Sequence, residues 1–215
     1  MILAIETSSK LCSVALIENG NVKDAEEAMG EKFIHAEALH PMIQNLLHRN
    51  QLTPSQLTGL AVGIGPGSYT GLRIGLAAAK GFAYALNIPL FAANTDQLLR
   101  ASLTSLPSEN PVYTVVDARR QDAFVAAPTG EYSFQTIDEI WRNQLQQGGI
   151  TVVGDCADKA VTEAMDIQIS RYPSAKFFAE LLKTNLKFVE DVGTLEPFYL
   201  KEFEPSLSKK KITDL

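Results

Sequence analysis

The layout of this chain repeats, although its residues do not. Residues 2–5 are apolar and β-rich, and end at Glu6 and the polar turn Thr7-Ser8-Ser9-Lys10. A second apolar run occupies 11–18, Asn19-Gly20 is a strong hairpin signal, and 22–28 reads as a third, more polar strand. The pattern then returns. Pro111 precedes the run Val112 to Val116, which ends at Asp117 and a polar turn through Arg119 and Arg120. Residues 121–127 repeat the second strand, Thr129-Gly130 the turn, and 132–137 the third strand. Glu6 to Gly20 is 14 positions and Asp117 to Gly130 is 13. Two copies of strand–turn–strand–turn–strand, each opening one half of the chain, predict a duplicated lobe.

Helices and strands alternate after each copy. Residues 32–50 read as a helix, with Leu39, Met42, Ile43 and Leu46 spaced three and four apart. Pro41 inside that pattern predicts a kink or the beginning of the regular part. A buried strand at 60–64, a helix at 68–86, a strand at 88–92 and a helix at 95–105 follow. The second half predicts a helix at 137–147, a strand at 150–153 ended by Gly154, and a long amphipathic helix at 174–187. The polar stretch 102–111 is the natural boundary, giving lobes at 1–105 and 106–203 and a polar tail at 204–215. Each half opens with two hairpins, which a plain doubly wound sheet would not do. The plan is that of an α/β protein with duplicated βββαβα lobes: the two-lobed actin-like ATPase fold (ASKHA, ribonuclease H-like).

Composition excludes several partners. The 215 residues carry a net charge of −6, whereas a protein that grips RNA alone carries a basic stripe. The dense basic run here is Lys209-Lys210-Lys211, in the polar tail. Tight autonomous RNA binding is not expected. No apolar run approaches the roughly 18 residues that span a bilayer. The acidic residue at position 6 and the lack of a positive leading segment argue against a signal peptide. Cys12 and Cys156 lack partner spacing and read as reduced thiols of a cytoplasmic protein.

The sharpest local string is Gly63-Ile64-Gly65-Pro66-Gly67-Ser68-Tyr69-Thr70-Gly71-Leu72-Arg73-Ile74-Gly75. It follows a buried strand and opens a helix, where backbone N–H groups could cradle an anion. It is not a P-loop, having no lysine after the glycines, and its spacing is not the dinucleotide fingerprint. The bland reading is a tight strand-to-helix connection. The helix after it holds Gly71, Gly75, Ala78 and Gly81 among other small residues. Each helical glycine costs about 1 kcal/mol relative to alanine, so close approach of another backbone must offset it. That backbone belongs either to the chain's own sheet or to a second subunit, and both can hold on different faces.

Catalytic constellations are scarce. Active enzymes of this fold use glycine in both leading hairpins, so that backbone reaches phosphate. Here Thr7 to Lys10 and Ala118 to Gln121 contain none. Glu6 and Asp117 stand where such enzymes place Mg²⁺-organising carboxylates, with Thr7 and Ser8 beside them, so the nucleotide site reads as a degenerate remnant. His35 and His40 are five residues apart, about 140° around a helix, and cannot jointly chelate a metal. His35 reads as an interface or capping residue. Ser68 does not lie in a Gly-x-Ser-x-Gly elbow, and no general base stands out. No catalytic residue, metal or cofactor is expected.

The opening Ile2 to Ser8, Cys12 to Leu16, His35 to Ile43, Gly63 to Gly75 with Ala79-Lys80-Gly81, Val116 to Arg120 and Glu196 to Leu200 together resemble the TsaB (YeaZ) family. That resemblance implies a subunit without catalysis in the formation of threonylcarbamoyladenosine at position 37 of transfer RNAs reading codons that begin with A. It implies a catalytic TsaD-like partner, a TsaE-like ATPase, a homodimer when alone, and contact with transfer RNA only through the complex. TsaD-like subunits bear a His-x-x-x-His metal pair; here His35 is followed at i+4 by Leu39, and Glu6 stands where many members have Asp. The expected docking surface lies on the helices at 33–49 and 69–86, through His35, Leu39, Met42, Ile43, Leu46, Tyr69, Thr70, Gly71, Arg73, Ile74, Gly75, Ala78 and Phe82. The alternatives are an active ATPase or kinase of the same fold, and, further off, a metallopeptidase.

Overall fold

A computed structural model describes residues 1–30, 33–103, 110–139, 141, 149–160, 167–184 and 186–200. The first sheet holds β1 (Ile2–Glu6), β2 (Leu11–Glu18), β3 (Asn21–Met29), β4 (Gly59–Gly63) and β5 (Leu90–Ala93), in the order β3-β2-β1-β4-β5. The second holds β6 (Val112–Asp117), β7 (Asp122–Ala126), β8 (Tyr132–Thr136), β9 (Thr151–Gly154) and β10 (Ile167–Ser170), in the order β10-β9-β6-β7-β8. Read from the opposite edge, that order is the same. In both sheets the leading strand pairs antiparallel with the second and parallel with the fourth. The repeated hairpins are therefore a repeated topology.

Among the described residues, three helices belong to the first half: α1 (His35–Arg49), α2 (Tyr69–Leu86) and α3 (Thr95–Ala101). β1 alternates poorly because both of its faces are buried. Leu3 and Ile5 pack with Leu60 and Val62 against α1 and α2. Ala4, Ala15, Ala61 and Ala93 face the other way. The larger side chains lie under two helices, and the alanine face accepts a closely packed layer. α3 sits between the sheets, with Leu98 in the core of the first and Leu99 beside Val116 and Val153 of the second.

Three expectations need correction. α1 runs through Pro41, whose ring lies on the exposed side, so the regular helix begins before the proline. The long helix expected at 174–187 is a 3-10 turn at Ala175–Phe177 followed by α4 (Phe178–Lys183), only 6 residues. It also packs on the first sheet, not the second: Ala175, Phe178 and Ala179 fill the alanine face. Residues 186–200 stay with that lobe, where the Val189 N–H donates to Leu90 O at 2.7 Å and the Phe198 N–H to Ile64 O at 2.7 Å. Placing 106–203 wholly in a second lobe therefore misassigns 174–200. β10 was not expected at all; it pairs parallel with β9 as β5 does with β4. The predicted helix at 137–147 falls largely outside the described residues, as does the tail.

Candidate functional site: an interlobe cleft and a two-helix face

The two leading hairpins face each other across a cleft of about 700 Å³, with Ser8, Ser9 and Lys10 on one wall and Asp117, Arg119 and Arg120 on the other. The first hairpin is gripped from behind by the start of α2. Ser68 N–H donates to Ser8 O at 2.6 Å, and Thr7 Oγ1 donates to Gly71 O at 2.8 Å. A Cβ at Gly71 would lie 2.1 Å from Thr7 O, and one at Gly75 would lie 2.2 Å from Thr7 Oγ1. The glycines of this string therefore admit the chain's own hairpin. Gly81 differs, having nothing among the described residues within 4 Å of its would-be Cβ.

The carboxylates of the two hairpins are both engaged. Glu6 is fully buried, its Oε1 accepting the Ser8 N–H at 2.6 Å, while Oε2 has no partner among the described residues. Burial raises its pKa, only partly opposed by the hydrogen bonds from Ser8 and Thr7. Asp117 is ion-paired through Oδ1 with Lys159 Nζ, and its N–H donates to Asp155 Oδ1 at 2.7 Å. Sequence reasoning missed Asp155 and Lys159, because a lone acid after a strand glycine carries no pattern.

Burial pushes the Asp155 carboxyl up to about 7, with the Asp117 charge adding to it and Lys159 opposing it. Because the folded value exceeds the unfolded one, native stability from this group is full below about pH 4 and is lost as pH rises to about 7. Asp155→Asn keeps an acceptor for the Asp117 N–H and removes the charge. In melting series from pH 4 to pH 8, the variant should match the native chain at the acid end. It should gain on it above, by at most about 1.4 kcal/mol per pH unit. A difference independent of pH would show that Asp155 titrates normally.

His35 opens α1 and is buried, with Nε2 donating to Ser9 O at 2.8 Å. Burial lowers its pKa, and its Nδ1 has no partner among the described residues. It ties α1 to the first hairpin and does not face outward as an interface residue. Leu39, Met42, Ile43 and Leu46 likewise lie in the core, Leu39 at 0% exposure, so they support a helix face from beneath and cannot form it. Gly71, Gly75 and Ala78 are buried too. Of the expected interface residues, Thr70 and Arg73 are exposed, and Tyr69, Ile74 and Phe82 are half-buried. Arg73 lies over the Tyr69 ring at 4.2 Å, and its Nε donates to Tyr199 OH at 2.9 Å, so the C-terminal segment covers part of this face. Farther along α2, Ala77, Gly81, Tyr84 and Ala85 are exposed, Tyr84 at 89%. On α1, His40 approaches Phe82 with ring centroids 6.4 Å apart.

Two sheets of one strand order, helices on their faces and a cleft between their leading hairpins define a two-lobed, actin-like α/β protein. Solved structures agree on the fold. A Pseudomonas aeruginosa protein described as similar to the peptidase YeaZ superposes with a TM-score of 0.76 at 23% identity, over 93% of this chain and 99% of that one. A second structure, YeaZ from the same organism, gives 0.72 at 22% identity. Residues 33–187 match the family model described as TsaD, tRNA N6-adenosine threonylcarbamoyltransferase. The tRNA threonylcarbamoyladenosine biosynthesis protein TsaB of Haemophilus influenzae is 29% identical over 93% of each chain. Escherichia coli TsaB is 32% identical over 58% of this chain and 53% of its own. The Enterococcus faecalis tRNA N6-adenosine threonylcarbamoyltransferase is 29% identical over 82% of this chain but only 51% of its own. The chain belongs to this family, and TsaB proteins are among its curated relatives.

Proposed function

We propose that the chain is a non-catalytic partner subunit in the formation of N6-threonylcarbamoyladenosine at position 37 of transfer RNAs reading codons that begin with A. It works in the cytoplasm beside a TsaD-like catalytic subunit and a TsaE-like ATPase, and pairs with itself when alone. One observation carries the lack of catalysis: neither hairpin acid is available to organise Mg²⁺. Glu6 is buried beneath the hairpin, and Asp117 is held by Lys159. The hairpins offer side chains where phosphate would need glycine backbone. Family membership supports the pathway, since relatives carry that activity in their names.

The docking surface on this reading is the outer face of α1 and α2, the proposed interface residues Thr70, Arg73, Ile74 and Phe82 continuing into Ala77, Gly81 and Tyr84. The core residues Leu39, Met42, Ile43 and Leu46 hold the two helices in register. Copurification of the chain with its cellular partners, and nucleoside analysis of transfer RNA after its depletion, test the assignment. Unchanged threonylcarbamoyladenosine after depletion would overturn it. Isothermal titration with MgATP should show no stoichiometric complex at micromolar concentrations. A saturable, Mg²⁺-dependent complex would instead favour an active ATPase.

A further inference from the structure

Three cations line the cleft without serving the role above. Lys10 stands on the first hairpin, and Arg119 and Arg120 on the second; all are exposed to the same space. Among the described residues, none of them is ion-paired with a carboxylate. The acids nearest them are muted, since Asp117 is neutralised by Lys159 and Asp155 is shifted up by burial. The cleft is thus locally basic in a chain of net charge −6.

The second hairpin is also strained. Arg119 has φ 72° and Arg120 φ 52°, two consecutive left-handed residues that are neither Gly nor Asn. Asparagine or glycine would relieve this turn, so arginine at both positions is a cost without structural return. Rings lie on the same walls: Phe33 at 41% exposure, Tyr199 at 38%, and Tyr172. Unpaired guanidinium groups beside accessible aromatic rings form the surface that single-stranded nucleic acid takes, phosphates on the cations and bases on the rings. An acidic peptide would need the cations but not the rings.

We propose that this cleft is a contact site for the phosphodiester backbone of a single-stranded RNA segment. It rests on the proposed transfer-RNA role only in naming RNA as the natural source of the strand. Lys10, Arg119 and Arg120 neutralise up to three phosphates, which gives weak binding by the chain alone and an increment within the complex. That size of contact is compatible with the absence of a basic stripe elsewhere.

The test is fluorescence anisotropy of a labelled single-stranded RNA of about 10 nucleotides, within the usual site-size range, titrated with the full chain. Three phosphate contacts predict affinity falling roughly twentyfold between 50 and 200 mM salt. The Lys10→Gln/Arg119→Asn/Arg120→Asn variant should lose that salt dependence and, with it, at least roughly twentyfold in affinity at 50 mM salt. Asparagine suits the left-handed turn, so the variant should melt no lower than the native chain. Lys23→Gln, on β3 away from the cleft, controls for removal of a surface cation as such and should bind as the native chain does. The proposal is overturned if the triple variant binds RNA as well as the native chain, or if RNA does not bind at 50 mM salt. It is overturned equally if polyglutamate of matched charge competes as well as unlabelled RNA, which would make the cleft an acidic-peptide site. Loss of partner docking with RNA binding intact would count against the subunit role and not against this site.

Discussion

In light scattering, the Ala77→Arg/Tyr84→Ala double variant should run as a folded monomer and fail to bind the TsaD-like subunit. Ala77, Gly81 and Tyr84 follow each other at i, i+4 and i+7 on the outer face of α2, so they form one stripe. A tyrosine 89% exposed beside alanine and glycine has the exposure that an interface anchor would need. Truncating such an anchor typically costs about 2 kcal/mol or more of binding. An arginine in a closely packed small-residue surface adds an unpaired buried charge of at least similar cost. Together they amount to about 4 kcal/mol, or about a thousandfold in affinity. The monomer should keep its melting temperature, because both positions face solvent and arginine is a good helix former. If the variant still self-associates and still binds the partner, the docking surface lies elsewhere. Gly75→Leu and Ala78→Trp cannot serve in its place. Gly75 already abuts Thr7, and Ala78 is buried, so both substitutions would damage the fold before any interface.

Phe178→Ala should be the most damaging single truncation in the C-terminal part of the chain. Phe178 is 0% exposed and fills the alanine face of the first sheet, against Ala4, Ala61 and Leu98. Removing a buried phenylalanine costs about 3–5 kcal/mol, a large share of a total stability of about 5–15 kcal/mol. In a domain of this size that lowers the melting temperature by about 10 °C. The loss should be seen equally by probes in the first lobe, although the residue lies 178 positions along the chain. A loss below about 1 kcal/mol would mean that the C-terminal helix does not complete the first lobe.

Much of this molecule was legible in local pattern. Asn19-Gly20 and Thr129-Gly130 marked turns whose left-handed residues the structure shows at Asn19, Gly20 and Gly130. The acids before the first turn of each copy marked the ends of β1 and β6. Strand order followed, because two identical hairpin layouts have few ways to continue with helices between parallel strands. The excess of glycine in α2 was visible as a need for close approach, since helices lose stability to glycine wherever they sit.

What approached was decided only by tertiary contact. Nothing local says that Gly71 and Gly75 face Thr7 while Gly81 faces solvent. Nor does the 3.6-residue period of Leu39, Met42, Ile43 and Leu46 distinguish a stripe turned to the chain's own sheet from one turned to a partner. The periodicity of an amphipathic helix records that one face is buried, and the rest of the fold chooses against what. The same holds for α4, short and far along the chain, which lies under the first sheet because the alanine face there has room for Phe178. Asp155 gained its raised pKa from burial beside Asp117, and Arg119 and Arg120 gained their isolation from facing an open cleft. Charge and burial are properties of a neighbourhood, and neighbours 38 or more residues apart are set by the packing of sheets and not by the string of residues.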